Sequence, residues 1–268
     1  MNIGTRLRRL TAANAPRSLL PRSSINRNGA RTFLTTSDKD EEAPSLRGIH
    51  PELACLLQKS SNWSNEMREK DAGFFDRIGS PQKPKYLYIG SCDARVDPTT
   101  LMNVEYGQLF IHRNFGNIVC GSDLNVLSAI EYAVERLGVP HVIVCGHYDC
   151  SAVRASHTQT DHGIMENWLR NIRDVQRLHN KELSQIADAE MRHRRLVELH
   201  TIEQCNNVLK TGVVQQARRA SFNKYGFAVP RVHALVFDPA AGELKKLPVK
   251  WKNELKDFGS IYDLYPDS

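Results

Sequence analysis

Nothing in this chain of 268 residues approaches the ~20 consecutive apolar residues a membrane-spanning helix needs, so no membrane span is expected. Its six cysteines (Cys55, Cys92, Cys120, Cys145, Cys150 and Cys205) lack the regular spacing of a small disulfide-stapled domain. In a reducing compartment they are expected to stay free or to bind metal. Cys145 sits inside an apolar run and reads as a core residue. Acidic residues and lysine are both missing before Asp38. The same stretch carries seven arginines: Arg6, Arg8, Arg9, Arg17, Arg22, Arg27 and Arg31. Subtracting those seven from the formal charge of +6 leaves about −1 (6 − 7) for the remainder. On that arithmetic a nucleic-acid-binding surface loses its support. Internal repeats are absent too, and no low-complexity segment lies beyond the arginine-rich start.

An arginine-rich, serine-bearing, acid-free start is the composition of an organellar presequence. Leu7, Leu10, Leu19 and Leu20 lie near the arginines, as one face of a transient amphipathic helix requires. Arg31-Thr32-Phe33 followed by Thr36 resembles a matrix-processing site, which places the mature start between about 34 and 41. Residues 1–40 are therefore expected to be a targeting presequence and linker, and residues 41–268 one folded domain. Arginine rather than serine dominates, favouring the mitochondrial matrix over the plastid as the alternative. A plain basic tail is the competing reading.

Past residue 50 the apolar residues take up regular periods. Leu53, Leu56 and Leu57, then Trp63, Met67, Phe74 and Phe75, predict helix over 51–76, broken by Pro81 and Pro84. Tyr86–Ile89 and Leu109–His112 read as strands. Leu124–Leu137 reads as a helix containing Leu127, Ile130, Tyr132 and Val134, ended by Gly138-Val139-Pro140 before the strand Val142–Cys145. Ile164–His179 carries an apolar stripe of Ile164, Trp168, Leu169, Ile172, Val175 and Leu178. Residues 182–220 read as helical with a break near Gly212. Val232–Phe237 and Leu244–Val249, joined through Asp238-Pro239-Ala240-Ala241-Gly242, predict a hairpin. This order predicts an α/β fold: a mainly parallel central sheet flanked by helices, with an N-terminal helical arm. The basic run Met191-Arg192-His193-Arg194-Arg195 reads as a solvated helix face. Trp168 and Trp251 read as core or interface, and His112 and His141 as structural.

Two clusters of metal-type residues end two of these strands: Ser91-Cys92-Asp93-Ala94-Arg95 and His147-Tyr148-Asp149-Cys150. In an open α/β sheet the loops leaving the C-terminal strand ends converge. Thiolate, imidazole and carboxylate meeting at one edge is what a zinc site needs. The residue two before Asp93, however, is Ser91 rather than cysteine.

With Gln82 nine residues before Ser91, and Arg113-Asn114-Phe115-Gly116-Asn117 between the two clusters, the chain resembles the β-class carbonic anhydrases from about residue 50 to about residue 250. The resemblance implies reversible hydration of CO2 to bicarbonate and a proton, a Zn2+ cofactor, and a homodimer or higher homo-oligomer whose residues 51–76 embrace the partner. By position, the family's zinc ligands map to Ser91, His147 and Cys150. Asp93 and Arg95 map to its dyad, in which the aspartate either pairs with the arginine or turns onto the metal. Gln82, Phe110, Phe115 and Tyr132 map to a CO2 pocket built across a dimer interface. Zinc with three protein ligands keeps a fourth position open and lowers the pKa of water there to near neutrality. Asp93, held by Arg95, would orient that water, and Gln82 would donate to a CO2 oxygen. Arg113 and Asn117 would brace the loops.

Ser91 is the main departure from the family pattern, because a serine hydroxyl is a poor ligand for a borderline-soft metal. Three outcomes stay open. Asp93 ligates permanently, giving an Asp/His/Cys set and depriving Arg95 of its partner. A bulge brings Cys92 to the metal, against the alternation that sends neighbouring side chains to opposite faces. Or the metal is lost, and the chain persists as a catalytically impaired binding or assembly protein. Ser151 also follows Cys150 where the family has glycine, and Phe115 is bulkier than the usual aliphatic residue. These changes point to reduced activity. Hydrolysis of sulfur analogues such as COS is a further reading on the same scaffold.

Overall fold

The computed structural model describes residues 48–249 and 261–262. The expected presequence and Trp251 lie outside the described residues. The chain divides into two compact units, residues 1–63 and 64–268. Helix α1 (Pro51–Lys70) begins in the first of them, with Leu53, Leu56 and Leu57 exposed. The helix expected over 51–76 is in fact two, because α2 (Phe74–Ile78) starts afresh after Asp71-Ala72-Gly73. There the Asp71 carboxylate accepts the Gly73 N–H at 3.1 Å and pairs with Arg77, which turns the chain.

The larger unit holds a five-stranded sheet in the order β2-β1-β3-β4-β5. Its strands are β1 (Tyr86–Ser91), β2 (Leu109–Asn114), β3 (His141–His147), β4 (Arg231–Asp238) and β5 (Glu243–Lys246). All pairings are parallel except β4 with β5. Parallel strands covered on both faces need near-continuous apolar sequence. Val142-Ile143-Val144-Cys145 supplies it in β3, and all four residues are buried. Burial pushes the Cys145 thiol up to about 12, as suits a core residue. The closing hairpin forms where expected, turning at Gly242 with φ +68°, although β5 stops at Lys246, short of Val249.

On one face of the sheet, Leu87, Ile89, Val142, Val144, Ala234 and Val236 join one core with side chains from α4 (Leu124–Glu131), α6 (Met165–Leu178), α8 (Ala189–Leu209) and α9 (Gly212–Tyr225). Each fully buried aliphatic side chain there, such as Ile172, contributes about 2 kcal/mol. Helix α4 is regular only to Glu131. Beyond it the chain widens into a π-type turn, Tyr132–Arg136, in which the Leu137 N–H reaches the Tyr132 carbonyl. The expected break near Gly212 falls just before it, at Lys210-Thr211, and α7 (Asn180–Leu183) precedes α8.

Two short helices go beyond what periodicity predicts. Helix α3 (Pro98–Leu101) is capped by Asp97, and α5 (Ser151–Ser156) starts directly after Cys150. Neither is long enough to show an apolar stripe.

The reading of Met191–Arg195 as a solvated face needs correction. His193 is buried, Arg194 pairs with Asp238 at 2.7 Å over the Tyr148 ring, and Arg195 pairs with Glu198 at 2.8 Å. A helix turns 100° per residue, so a run of five must present some members to the core. Among the described residues no helix is long and apolar enough to cross a membrane.

Candidate active site

Strands β1 and β3 are adjacent and in parallel register, with Gly90 opposite Cys145, so their outgoing loops open on the same edge. Asp149 adopts φ +58°, a left-handed conformation that breaks strand alternation between His147 and Cys150. Both flanking side chains are buried, His147 at 1% exposure and Cys150 at 2%.

The Asp93 carboxylate sits between the two loops. Its Oδ1 accepts from Arg95 Nε (3.0 Å) and the Arg95 backbone N–H (3.0 Å), and its Oδ2 accepts from Arg95 Nη2 (2.8 Å). The same Oδ2 lies 3.1 Å from His147 Nε2. The Arg95 guanidinium holds the Asp93 carboxyl well below the usual carboxylate range, against the opposing effect of burial. Burial pushes His147 below its usual range despite the nearby carboxylate, so its imidazole is neutral at pH 7. Its Nδ1 is buried with no hydrogen-bond partner. Burial raises the Cys150 thiol, an effect that the nearby Val153 and Ala152 N–H groups and the Ser91 hydroxyl only partly offset. Ser91 is itself buried, at the position where a second thiol would stand. Cys92 is not brought to this group: it is exposed, and its N–H continues the ladder to the Asn114 carbonyl at 2.9 Å.

Arg113 clamps the loop after β1, donating from Nε to the Ser91 carbonyl (2.7 Å) and from Nη2 to the Asp93 carbonyl (2.6 Å). The side-chain brace expected from Asn117 falls instead to Asn114, which bonds the Ile118 N–H and carbonyl at 2.8 and 2.7 Å. The buried Nδ2 of Asn117 has no partner. Sequence reasoning missed a further set of anchors. His200 lies 2.7 Å from the Gly116 carbonyl through Nε2, Gln204 Oε1 accepts the Val119 N–H at 2.8 Å, and Asn207 donates to the Val119 carbonyl at 2.9 Å. Their spacing of four and then three residues on α8 was the available signal, a polar stripe at helix period.

The expected pocket residues are dispersed within one chain. Phe110 and Tyr132 are neighbours, with ring centroids 5.6 Å apart. Phe115 lines a cleft with Trp168 and Met165, and Trp168 donates to the Phe115 carbonyl. Gln82 is exposed and lines a different cleft with Phe74, Arg77 and Tyr106.

Imidazole, thiol and carboxylate are donor types that zinc accepts, and the orphaned Nδ1 marks His147 as a ring whose polar partners are incomplete. Among the described residues, however, no three His, Cys, Asp or Glu side chains are arranged to hold a metal ion as they stand. Asp93 is engaged by Arg95, and serine at 91 removes the third soft donor. In donor chemistry His147, Cys150 and Asp93 fit zinc, and the Asp93 carboxylate already lies next to the His147 ring.

The carbonic anhydrase family model matches residues 86–244. This chain belongs to the carbonic anhydrase family. A carbonic anhydrase of Emericella nidulans is 45% identical over 228 residues, spanning 85% of this chain and 96% of that relative. Among solved structures, the β-carbonic anhydrase CafA of Aspergillus fumigatus is 28% identical with a TM-score of 0.70, covering 79% of this chain and 99% of that one. One of two tetrameric β-carbonic anhydrases from Sordaria macrospora is also 28% identical, with a TM-score of 0.68 over 75% of this chain and 98% of that one. The expected α/β class, a mainly parallel sheet flanked by helices, is that of the β-carbonic anhydrases.

Proposed function

We propose that this chain catalyses the reversible hydration of CO2 to bicarbonate and a proton, using zinc held by His147, Cys150 and Asp93. The observation that carries the reading is the placement of Asp93 Oδ2 within 3.1 Å of the neutral His147 ring, at the strand end where the buried Cys150 thiol follows. When bound, zinc supplies the Lewis acidity that ionises a water near neutral pH. His147 offers a neutral imidazole, the form that can ligate. Cys150 is held by burial in its thiol form, so ligation by it would release a proton. Arg95 fixes the orientation of the Asp93 carboxylate, and Arg113 holds the loop that carries it. With serine in place of a thiolate, metal affinity and turnover fall below those of a site with two thiolates.

A homo-oligomer fits the exposed Leu53, Leu56 and Leu57 and the tetrameric Sordaria relatives. In that assembly a second copy completes the CO2 pocket, which accounts for the separation of Gln82 from Phe115 within one chain. Residues 1–40 serve as a mitochondrial presequence ahead of the domain 41–268, a reading that rests on the acid-free, arginine-rich composition. Zinc content of the purified chain, measured alongside stopped-flow CO2 hydration, tests the central claim. Near-stoichiometric zinc with hydration activity is expected; metal-free, inactive protein would replace it with a binding or assembly role.

A further inference from the structure

Arg95 is shared between two carboxylates. Besides its bonds to Asp93, it donates from Nη1 to Asp149 Oδ2 and from Nη2 to the Asp149 carbonyl, both at 3.2 Å. The other oxygen of Asp149 is taken by Arg154, through Nε at 3.1 Å and Nη2 at 2.8 Å. Arg154 then reaches Glu190, in the first turn of α8, at 3.3 Å. Charges of alternating sign thus run from the loop after β1, through the β3–α5 turn, to α8. The chemistry described above uses none of Asp149, Arg154 and Glu190.

We propose that Asp149 is a positioning residue that takes over Arg95 when Asp93 turns toward the metal, and that Arg154 opposes this by holding Asp149 back. The inference rests on the reading of Asp93 as the donor that stands in for the missing thiolate. Asp93 cannot keep its two-pronged pairing with Arg95 and also turn its lone pairs to a cation. Leaving Arg95 without an acceptor would oppose that turn. Asp149 removes the obstacle, because its Oδ2 already accepts from Arg95 and a carboxylate has lone pairs for more than one donor. The left-handed backbone at Asp149 turns the chain between the buried donors His147 and Cys150 and leaves its own carboxylate half exposed, between the two arginines. Arg95 therefore passes between adjacent acceptors without being stranded. Arg154 competes with Arg95 for the charge of the Asp149 carboxylate through its other oxygen, so Asp149 and Arg154 act on Asp93 with opposite sign.

The test compares zinc affinity of the full-length wild type, Asp149→Asn and Arg154→Gln by competition with a chromophoric chelator, with thermal unfolding of each metal-free protein as control. Asparagine is chosen because it tolerates the left-handed conformation. Asp149→Asn should bind zinc about tenfold more weakly, the low end of what outer-shell partners command, and Arg154→Gln should bind it several-fold more tightly. A merely structural role for the network would weaken binding in both. Same-sign shifts, or no shift, in a wild type that binds zinc would overturn the inference alone. Should Asp149→Asn fail to fold, Arg154→Gln decides: unchanged or weaker binding overturns the inference. A wild type that binds no zinc overturns both this inference and the proposed function.

Discussion

Mild acid should loosen this protein through His200. The ring is 1% exposed, its Nε2 lies 2.7 Å from the Gly116 carbonyl and its Nδ1 lies 3.3 Å from Gln204 Nε2, which suits a neutral imidazole donating at one nitrogen and accepting at the other. Burial pushes its pKa down to about 4. In the unfolded chain the same group titrates near ~6.5. Between those two values the unfolded chain binds a proton that the folded chain refuses. Stability is therefore full above the unfolded value, falls as pH drops through the window, and levels off below about 4. One proton is worth about 1.4 kcal/mol per pH unit, so the whole window amounts to roughly 3 kcal/mol out of a typical margin of about 5–15. His193, also held down at about 4 by burial, adds a slope of the same sign, so a single-site variant is needed to isolate His200. Urea unfolding of wild type and His200→Gln at about pH 7, 6 and 5 supplies it. The wild type should lose about 1.4 kcal/mol per unit more than the variant once below ~6.5. Equal slopes would refute the reasoning, and so would an NMR titration showing the His200 ring protonating near ~6.5 in the folded protein.

Ser91→Cys restores a thiolate beside His147 and Cys150. It should raise zinc affinity by about 3 kcal/mol, the per-ligand share of a four-ligand site, which is about a hundredfold in a chelator competition. CO2 hydration should rise with it, and unchanged affinity would mean the site is complete without that sulfur. Cys150→Ser removes the one buried thiol at the site and should abolish zinc binding; stoichiometric metal retained in elemental analysis would count against the ligand set. Gly116→Ala places a Cβ 2.8 Å from the Ala152 Cβ at φ +88° and should cost about 3 kcal/mol in chemical denaturation. A loss below about 0.5 kcal/mol would contradict the close approach described here.

Strands β1 and β3 were legible in the sequence because they are buried almost along their whole length, and the metal-type residues were legible because they follow those two runs directly. What periodicity could not convey was local. A turn as short as α5 leaves no stripe, and the π-type widening after Glu131 preserves the apolar spacing while changing the hydrogen bonds. The anchors His200, Gln204 and Asn207 look like ordinary surface residues until the loop they bond is known, and His193 was hidden inside a run of charge. Asp149 shows the limit most clearly. Its neighbours mark it as part of a site, but its link to Arg95 spans 54 residues, a contact that no single-chain pattern encodes.

Among the described residues, the outermost strand on one side of the sheet is β5, whose four residues are all exposed and include Lys245 and Lys246. Lysines on an edge strand repel the approach of another strand and interrupt a smooth hydrogen-bonding margin. That flank is thereby guarded against sheet-to-sheet growth, which leaves β2 as the open margin on the opposite side.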